Sequence, residues 1–146
     1  MHCNLIIKSN RILTPNGFLD GIICISEGKI ISIEKSTQNY TADKTIDAGN
    51  NVVMPGIIDP HVHINEPGRT EWEGFNTATR SAAAGGITTL IDMPLNSTPV
   101  TISFSNLLLK IEAAKKYVHV NCGFWGGVVP GNLDHLEAML QGGVFG

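Results

Sequence analysis

Cysteine is scarce in this 146-residue chain, where Cys3, Cys24 and Cys122 stand widely spaced and odd in number. Such a set does not make a disulfide framework and suits reduced intracellular thiols. No Cys-x-x-Cys occurs, which argues against structural zinc of the finger type. Long apolar runs are also missing: none approaches the roughly 18 residues that span a bilayer, so no membrane partner is expected. The opening Met1-His-Cys-Asn-Leu-Ile-Ile-Lys8 has no basic leader followed by an extended apolar stretch, so no secretory signal is read there. Neither sign of charge dominates, with 10 Lys and Arg against 13 Asp and Glu for a net −3, which argues against nucleic acid as a partner. Gly85-Gly86 is followed by no Gly-Lys-Ser/Thr and is therefore no phosphate loop. What is there is an ordinary globular composition, 42% hydrophobic and 16% charged.

Two grammars follow one another along the chain. Up to about residue 50, short β-branched runs alternate with turn signals. The runs are Leu5–Ile7, Arg11–Leu13, Gly21–Ile25 and Lys29–Ile33, and the turns are Pro15-Asn16-Gly17 and Glu27-Gly28-Lys29. This predicts a small β domain over residues 1–50, with roughly four strands, mostly antiparallel, and one apolar face that needs cover. From residue 51, strand alternates with helix, which favours parallel βα units. The first strand is expected to run to His63. Thr70 and Glu73 have capping-box spacing for a helix that Gly85-Gly86 would stop, with Trp72, Phe75, Thr79 and either Ala82 or Ala83 on its inner face. A strand over 87–91, a helix over about 104–117 with Leu107, Leu108, Ile111 and Ala114 inward, a strand over 118–124, and a helix over 133–141 capped by Asn132 complete the expectation. Val144-Phe145-Gly146 reads as the opening of a fourth strand. Three βα units and a fragment do not close an eight-stranded barrel, which takes about 250 residues. The chain is therefore read as the N-terminal part of a larger enzyme.

The chemistry concentrates at His61-Val62-His63, which ends the apolar stretch Asn51–Ile64. Side chains alternate along a strand, so residues i and i+2 lie on one face, roughly 6.5 Å apart. That places Asp59, His61 and His63 together, with Ile58, Pro60, Val62 and Ile64 opposite. Two imidazoles on one face can share a metal; a bare His-x-His is equally a pair of surface histidines. Asp59 either orients a ligand from behind or is a hydrogen-bonded strand-end carboxylate. Asn96, in the loop after the second strand, is a substrate contact or a turn residue before Ser97-Thr98-Pro99. Arg69 reaches a substrate oxygen or pairs with Glu66 or Glu71. His2, His119 and His135 have no partner at ligand spacing.

Met54-Pro-Gly-Ile-Ile-Asp-Pro-His-Val-His63 resembles the first barrel strand of the amidohydrolase superfamily. Glu66-Pro-Gly-Arg-Thr-Glu-Trp-Glu-Gly74, Ala84-Gly-Gly-Ile-Thr-Thr89 and Asp92-Met-Pro-Leu-Asn96 narrow the likeness to the cyclic-amidase branch, and within it to the allantoinases. The resemblance covers essentially the whole chain and implies an α/β fold: the first part of a TIM-type (β/α)₈ barrel over residues 51–146, preceded by a small β-rich domain. Dihydroorotases are similar here but carry Arg two residues after the second histidine, to clamp a carboxylate. This chain has Asn65, which cannot replace a guanidinium in charge or geometry and fits a neutral ureide ring better.

The resemblance implies hydrolysis of the hydantoin ring of allantoin to allantoate, in purine and ureide catabolism. It implies Zn2+ as cofactor, two ions per complete site, with other divalent metals open. It gives His61 and His63 as metal ligands and Asn96 and Arg69 as substrate contacts. The bridging lysine, two later histidines and the general-base aspartate of the pattern fall beyond Gly146. No catalytic residue is thus assigned to the chain itself. With two imidazoles alone, where hydrolytic zinc generally has three protein ligands, the isolated chain is expected to be inactive. A homo-oligomer is expected for the full-length enzyme, in the cytoplasm, with mitochondria or peroxisomes left open. Alternative readings are a hydantoinase, dihydropyrimidinase or dihydroorotase, or a non-catalytic truncated isoform.

Overall fold

The computed structural model describes residues 2–36 and 39–146, which divide into two compact units, residues 1–55 and 56–146. The first unit is a mixed five-stranded sheet. Its strands are β1 (His2–Thr14), β2 (Gly17–Ser26), β3 (Lys29–Lys35), β4 (Thr41–Asp47) and the short β5 (Val52–Val53). The order is β3-β2-β1-β4, with β5 also on β1, and both β4 and β5 run parallel to β1. Cys3, Ile6, Ile22 and Cys24 form its buried cluster, and all three cysteines are free.

Two expectations for this unit are corrected. Leu5–Ile7 and Arg11–Leu13 are halves of one strand, interrupted by a register shift between Ser9 and Ile12. Buried Ser9 explains how the chain passes that shift. Its hydroxyl donates to the Asn51 carbonyl at 2.7 Å and accepts the Arg11 N–H at 2.9 Å, so polar groups left by the broken ladder are satisfied locally. The second correction is β4, whose sequence Thr-Ala-Asp-Lys-Thr-Ile-Asp carries almost no apolar pattern, because six of its seven residues are exposed.

The second unit is a parallel three-stranded sheet, β6 (Ile57–Val62), β7 (Ile87–Asp92) and β8 (Asn121–Phe124), in that order. Helices α1 (Phe75–Ala84), α2 (Phe104–Lys115) and α3 (Leu133–Gln141) alternate with these strands. Ile64, Phe75, Ala82, Leu90 and Ala114 make one buried cluster, and Leu107, Met139 and Val144 a second. Removing this apolar area from water, at about 25 cal/mol per Å², is what fixes helices on strands.

Here too the sequence reading needs correction. Helix α1 starts at Phe75, not Thr70. Residues 65–73 turn back on themselves instead, with Asn65 N–H bonded to the Glu73 carbonyl and Arg69 N–H to the Asn65 carbonyl. Glu66 Oε2 then accepts the Phe75 N–H at 2.9 Å, doing the capping that Thr70 was expected to do. Trp72 consequently lies outside the helix and is exposed, while Phe75, Thr79 and Ala82 are buried, in keeping with the periodicity. In α2, Leu107 and Ala114 face inward, but Leu108 is exposed and Lys110 is buried. Asn132 does not cap α3 through its side chain. Its carboxamide is buried and holds the loop before the helix, donating to the Ile102 and Gly127 carbonyls and accepting from Val129 N–H. Val144–Gly146 is not a strand, although Phe145 N–H bonds to the Phe124 carbonyl and the Gly146 carbonyl accepts from Gly126. No helix is long and apolar enough to cross a membrane.

Candidate functional site

The carboxyl ends of β6 and β7 converge on the two histidines. In a parallel α/β sheet this is the end where ligands collect, since the following loops gather there. Strand β6 reaches it irregularly: Asp59 pairs with Leu90 and Val62 with Asp92, so β6 spends one residue more than β7 over that interval. The extra residue interrupts the two-residue alternation. Asp59 is thereby in register with buried Leu90 and lines a cleft with Ala78 and Ala82 of α1. His63 lines the same cleft, so Asp59 and His63 border one space despite the irregular register. The Asp59 carboxylate accepts the backbone N–H of His61 at 3.1 Å, stitching the irregular stretch of strand.

His61 and His63 do come together. Their ring centres are 5.2 Å apart with planes tilted by 56°, and both side chains are exposed. Two imidazoles bound to one tetrahedral zinc through bonds of about 2.0–2.1 Å would have ring centres about 5 Å apart, so the spacing fits. His63 Nδ1 lies 3.0 Å from Asn96 Oδ1. A neutral imidazole that donates from Nδ1 keeps its lone pair on Nε2, the form a metal ligand needs. Asn96 holds a left-handed backbone, φ 72°, which Asn tolerates better than most residues. Among the described residues, no group of three or more His, Cys, Asp or Glu side chains is arranged to hold a metal.

Arg69 lies with its guanidinium carbon 5.5 Å from the centre of the Trp72 ring, and among the described residues it makes no ion pair with Glu66 or Glu71. Asn65 is buried, and its Oδ1 has no hydrogen-bond partner among the described residues. His119 bonds Asn76 at 3.0 Å and His2 pairs with Asp43 at 3.0 Å.

Three residues that the sequence reading left without a role hold the strand end in place. Asp92, the last residue of β7, and Lys110 of α2 form an ion pair at 2.6 Å, each 1% exposed. Asp92 Oδ1 also accepts the Ile64 N–H at 2.6 Å, and Lys110 Nζ donates to the Ile64 carbonyl at 2.9 Å. Burial pushes the Asp92 carboxyl up to about 6, against the lowering pull of Lys110 and of Ile64 N–H. Trp125 Nε1 donates to the Pro60 carbonyl at 2.8 Å, and Met93 N–H to that of Val62 at 2.7 Å. The available signal for Lys110 was its spacing, three residues after Leu107 and four before Ala114, on the apolar stripe. Cys122, on β8, is half-buried, and burial raises its thiol to about 12, so it offers no thiolate near neutral pH.

Comparison with known proteins places this geometry. The model of the amidohydrolase family matches residues 52–141, and that of an allantoinase composite domain matches residues 1–51. The chain is similar to an allantoinase of Arabidopsis thaliana, 51% identical over 99% of the chain and 30% of the relative. It is also similar to a mitochondrial allantoinase of Aquarana catesbeiana, 52% identical over 97% and 29%. Among solved structures, an L-hydantoinase from Arthrobacter aurescens superposes with TM-score 0.88 at 35% identity, covering 97% of this chain and 32% of that one. The chain thus spans about a third or less of the proteins it matches. The β-rich unit followed by parallel βα units is the opening part of their barrel architecture, as expected from the sequence. With its family model covering more than half of its residues, this chain belongs to the amidohydrolase family.

Proposed function

We propose that this chain supplies the first two metal ligands of an allantoinase-type hydrolase, which opens the hydantoin ring of allantoin to allantoate. The observation that carries the reading is the His61–His63 pair, 5.2 Å between ring centres, with His63 Nδ1 bonded to Asn96. His61 and His63 would hold the metal through nitrogen, and Zn2+ suits such imidazole donors. When bound, zinc supplies an activated water and a Lewis acid for the ring carbonyl. Further ligands are required beyond these two, and a second ion is part of the proposal.

The chain's own residues prepare the site. Asn96 keeps the proton on His63 Nδ1, which makes it a positioning residue here rather than a substrate contact. Asp59 ties down the His61 backbone. Exposed Arg69, unpaired by any carboxylate among the described residues, is the remaining group suited to a ureide oxygen. Asn65 stands where a carboxylate clamp would be needed for dihydroorotate, and it carries no charge. The allantoinase composite match over residues 1–51 supports the same choice of substrate.

The test is a substrate panel on the protein purified as its source makes it, metal-loaded, with allantoin, hydantoin, dihydrouracil and dihydroorotate. Turnover of allantoin at least tenfold above the others is the expected result. Preference for hydantoin or dihydrouracil would move the assignment to the hydantoinase reading.

A further inference from the structure

The carboxyl end of β6 ends its strand pairing at Val62, one residue before His63. Past that point the backbone needs other partners, and it finds them in a buried ion pair. Lys110 sits in the middle of α2 on the face that buries Leu107 and Ala114, where an aliphatic residue is the ordinary occupant. Its Nζ lies 2.6 Å from Asp92 Oδ2, 2.9 Å from the Ile64 carbonyl and 5.8 Å from the Phe75 ring centre. Asp92 Oδ1 meets the Ile64 N–H at 2.6 Å. Both peptide groups flanking Ile64, itself 0% exposed, are thus gripped by opposite charges. One of those peptides is the His63–Ile64 bond.

Stability alone does not account for such a pair. Desolvating two charges is costly, and well-packed apolar replacements of a buried ion pair are often neutral or stabilising. What the pair offers instead is direction. Charge-assisted hydrogen bonds are short and oriented, whereas leucine contacts are not. The grip also joins three places: the end of β6 through Ile64, the end of β7 through Asp92, and α2 through Lys110. Asn96, which bonds His63, lies only four residues beyond Asp92, on the loop that follows β7. The pair therefore sets both the backbone that carries His63 and the start of the segment that orients its ring.

We propose that Asp92 and Lys110 are a positioning pair, which fixes the His63 backbone so that His61 and His63 present two nitrogens to one metal ion. The inference rests on the metal-ligand reading of the two histidines and deepens it. Outer-shell partners of metal ligands typically contribute 10–100-fold to metal affinity, and that is the size of effect assigned to this pair.

The experiment compares the protein purified as its source makes it with its Asp92→Leu/Lys110→Met variant, which replaces the pair by apolar groups and leaves no orphan charge. His61→Ala serves as control. Zn2+ affinity is measured by calorimetry, apo stability by the urea midpoint, and Ile64 amide exchange together with the His63 ring nitrogens by NMR in the metal-free protein. The expected result is a urea midpoint equal to or above that of the parent. Zn2+ affinity falls 10–100-fold, Ile64 amide exchange accelerates at least tenfold, and the protonated Nδ1 signal of His63 weakens. A folded double variant with parental Zn2+ affinity and parental Ile64 exchange overturns the positioning role. A His61→Ala control that binds Zn2+ as well as the parent overturns the metal reading instead, and the metal-free NMR then decides by itself whether the pair fixes His63.

Discussion

At the scale of single residues, the account rests on where two protons sit. Asn96 Oδ1 lies 3.0 Å from His63 Nδ1, which makes Nδ1 the donor and leaves Nε2 its lone pair. Asn96→Gly keeps the left-handed backbone available and removes only the acceptor. It is expected to shift His63 toward the Nε2–H form in 15N spectra and to weaken Zn2+ binding by roughly 10–100-fold. An unchanged tautomer would show that Asn96 does not govern the ring. The second proton is that of Asp92, whose carboxyl stands at about 6 against an ordinary 3.8. A carboxyl raised on folding binds its proton more tightly in the native state. It therefore contributes stability that is complete below about pH 3.8 and lost as pH climbs through 6, about 3 kcal/mol in all at roughly 1.4 kcal/mol per unit. A 13C titration of the Asp92 carboxyl should give a midpoint near 6, and one near 3.8 would contradict the burial argument.

At the scale of elements, caps and irregular strand stretches decide what the sequence pattern leaves open. Glu66→Ala removes the acceptor for the first N–H of α1, and Ser103→Ala removes the hydroxyl that accepts Asn106 N–H at the start of α2. Each should cost about 1 kcal/mol in urea unfolding. Loss at Thr70→Ala in place of Glu66→Ala would restore the helix start read from capping-box spacing. That misreading is instructive: Thr70 and Glu73 have the right spacing, but the backbone of 65–73 is already bonded to itself, and a carboxylate from four residues upstream takes the cap. Periodicity correctly placed Phe75, Thr79, Leu107 and Ala114 in the interior, because apolar burial is written in spacing, and it left Ala82 and Ala83 as alternatives of which Ala82 is buried. It gives no sign of the additional residue in β6 between Asp59 and Val62, because that irregularity changes the register without changing the composition of the strand. Lys110 escaped notice because a lysine on a helix is ordinarily read as solvent-facing, and only its partner, 18 residues away in sequence, makes its burial tolerable. The histidine pair was legible because its chemistry is local: two residues two apart at a strand end.

At the scale of the whole molecule, the chain brings a β unit and a βα unit whose family is shown, and it spans 29–32% of the lengths of the allantoinases and the hydantoinase described above. The central claim is that the protein containing these residues opens the allantoin ring through a metal held in part by His61 and His63. The most direct measurement is allantoate formation by the metal-loaded protein, purified as its source makes it, beside His61→Ala and His63→Ala made in the same background. The account predicts turnover that a chelator abolishes and Zn2+ restores, and a loss in each variant larger than the roughly 10–100-fold typical of outer-shell changes. Parental turnover in both variants would contradict it.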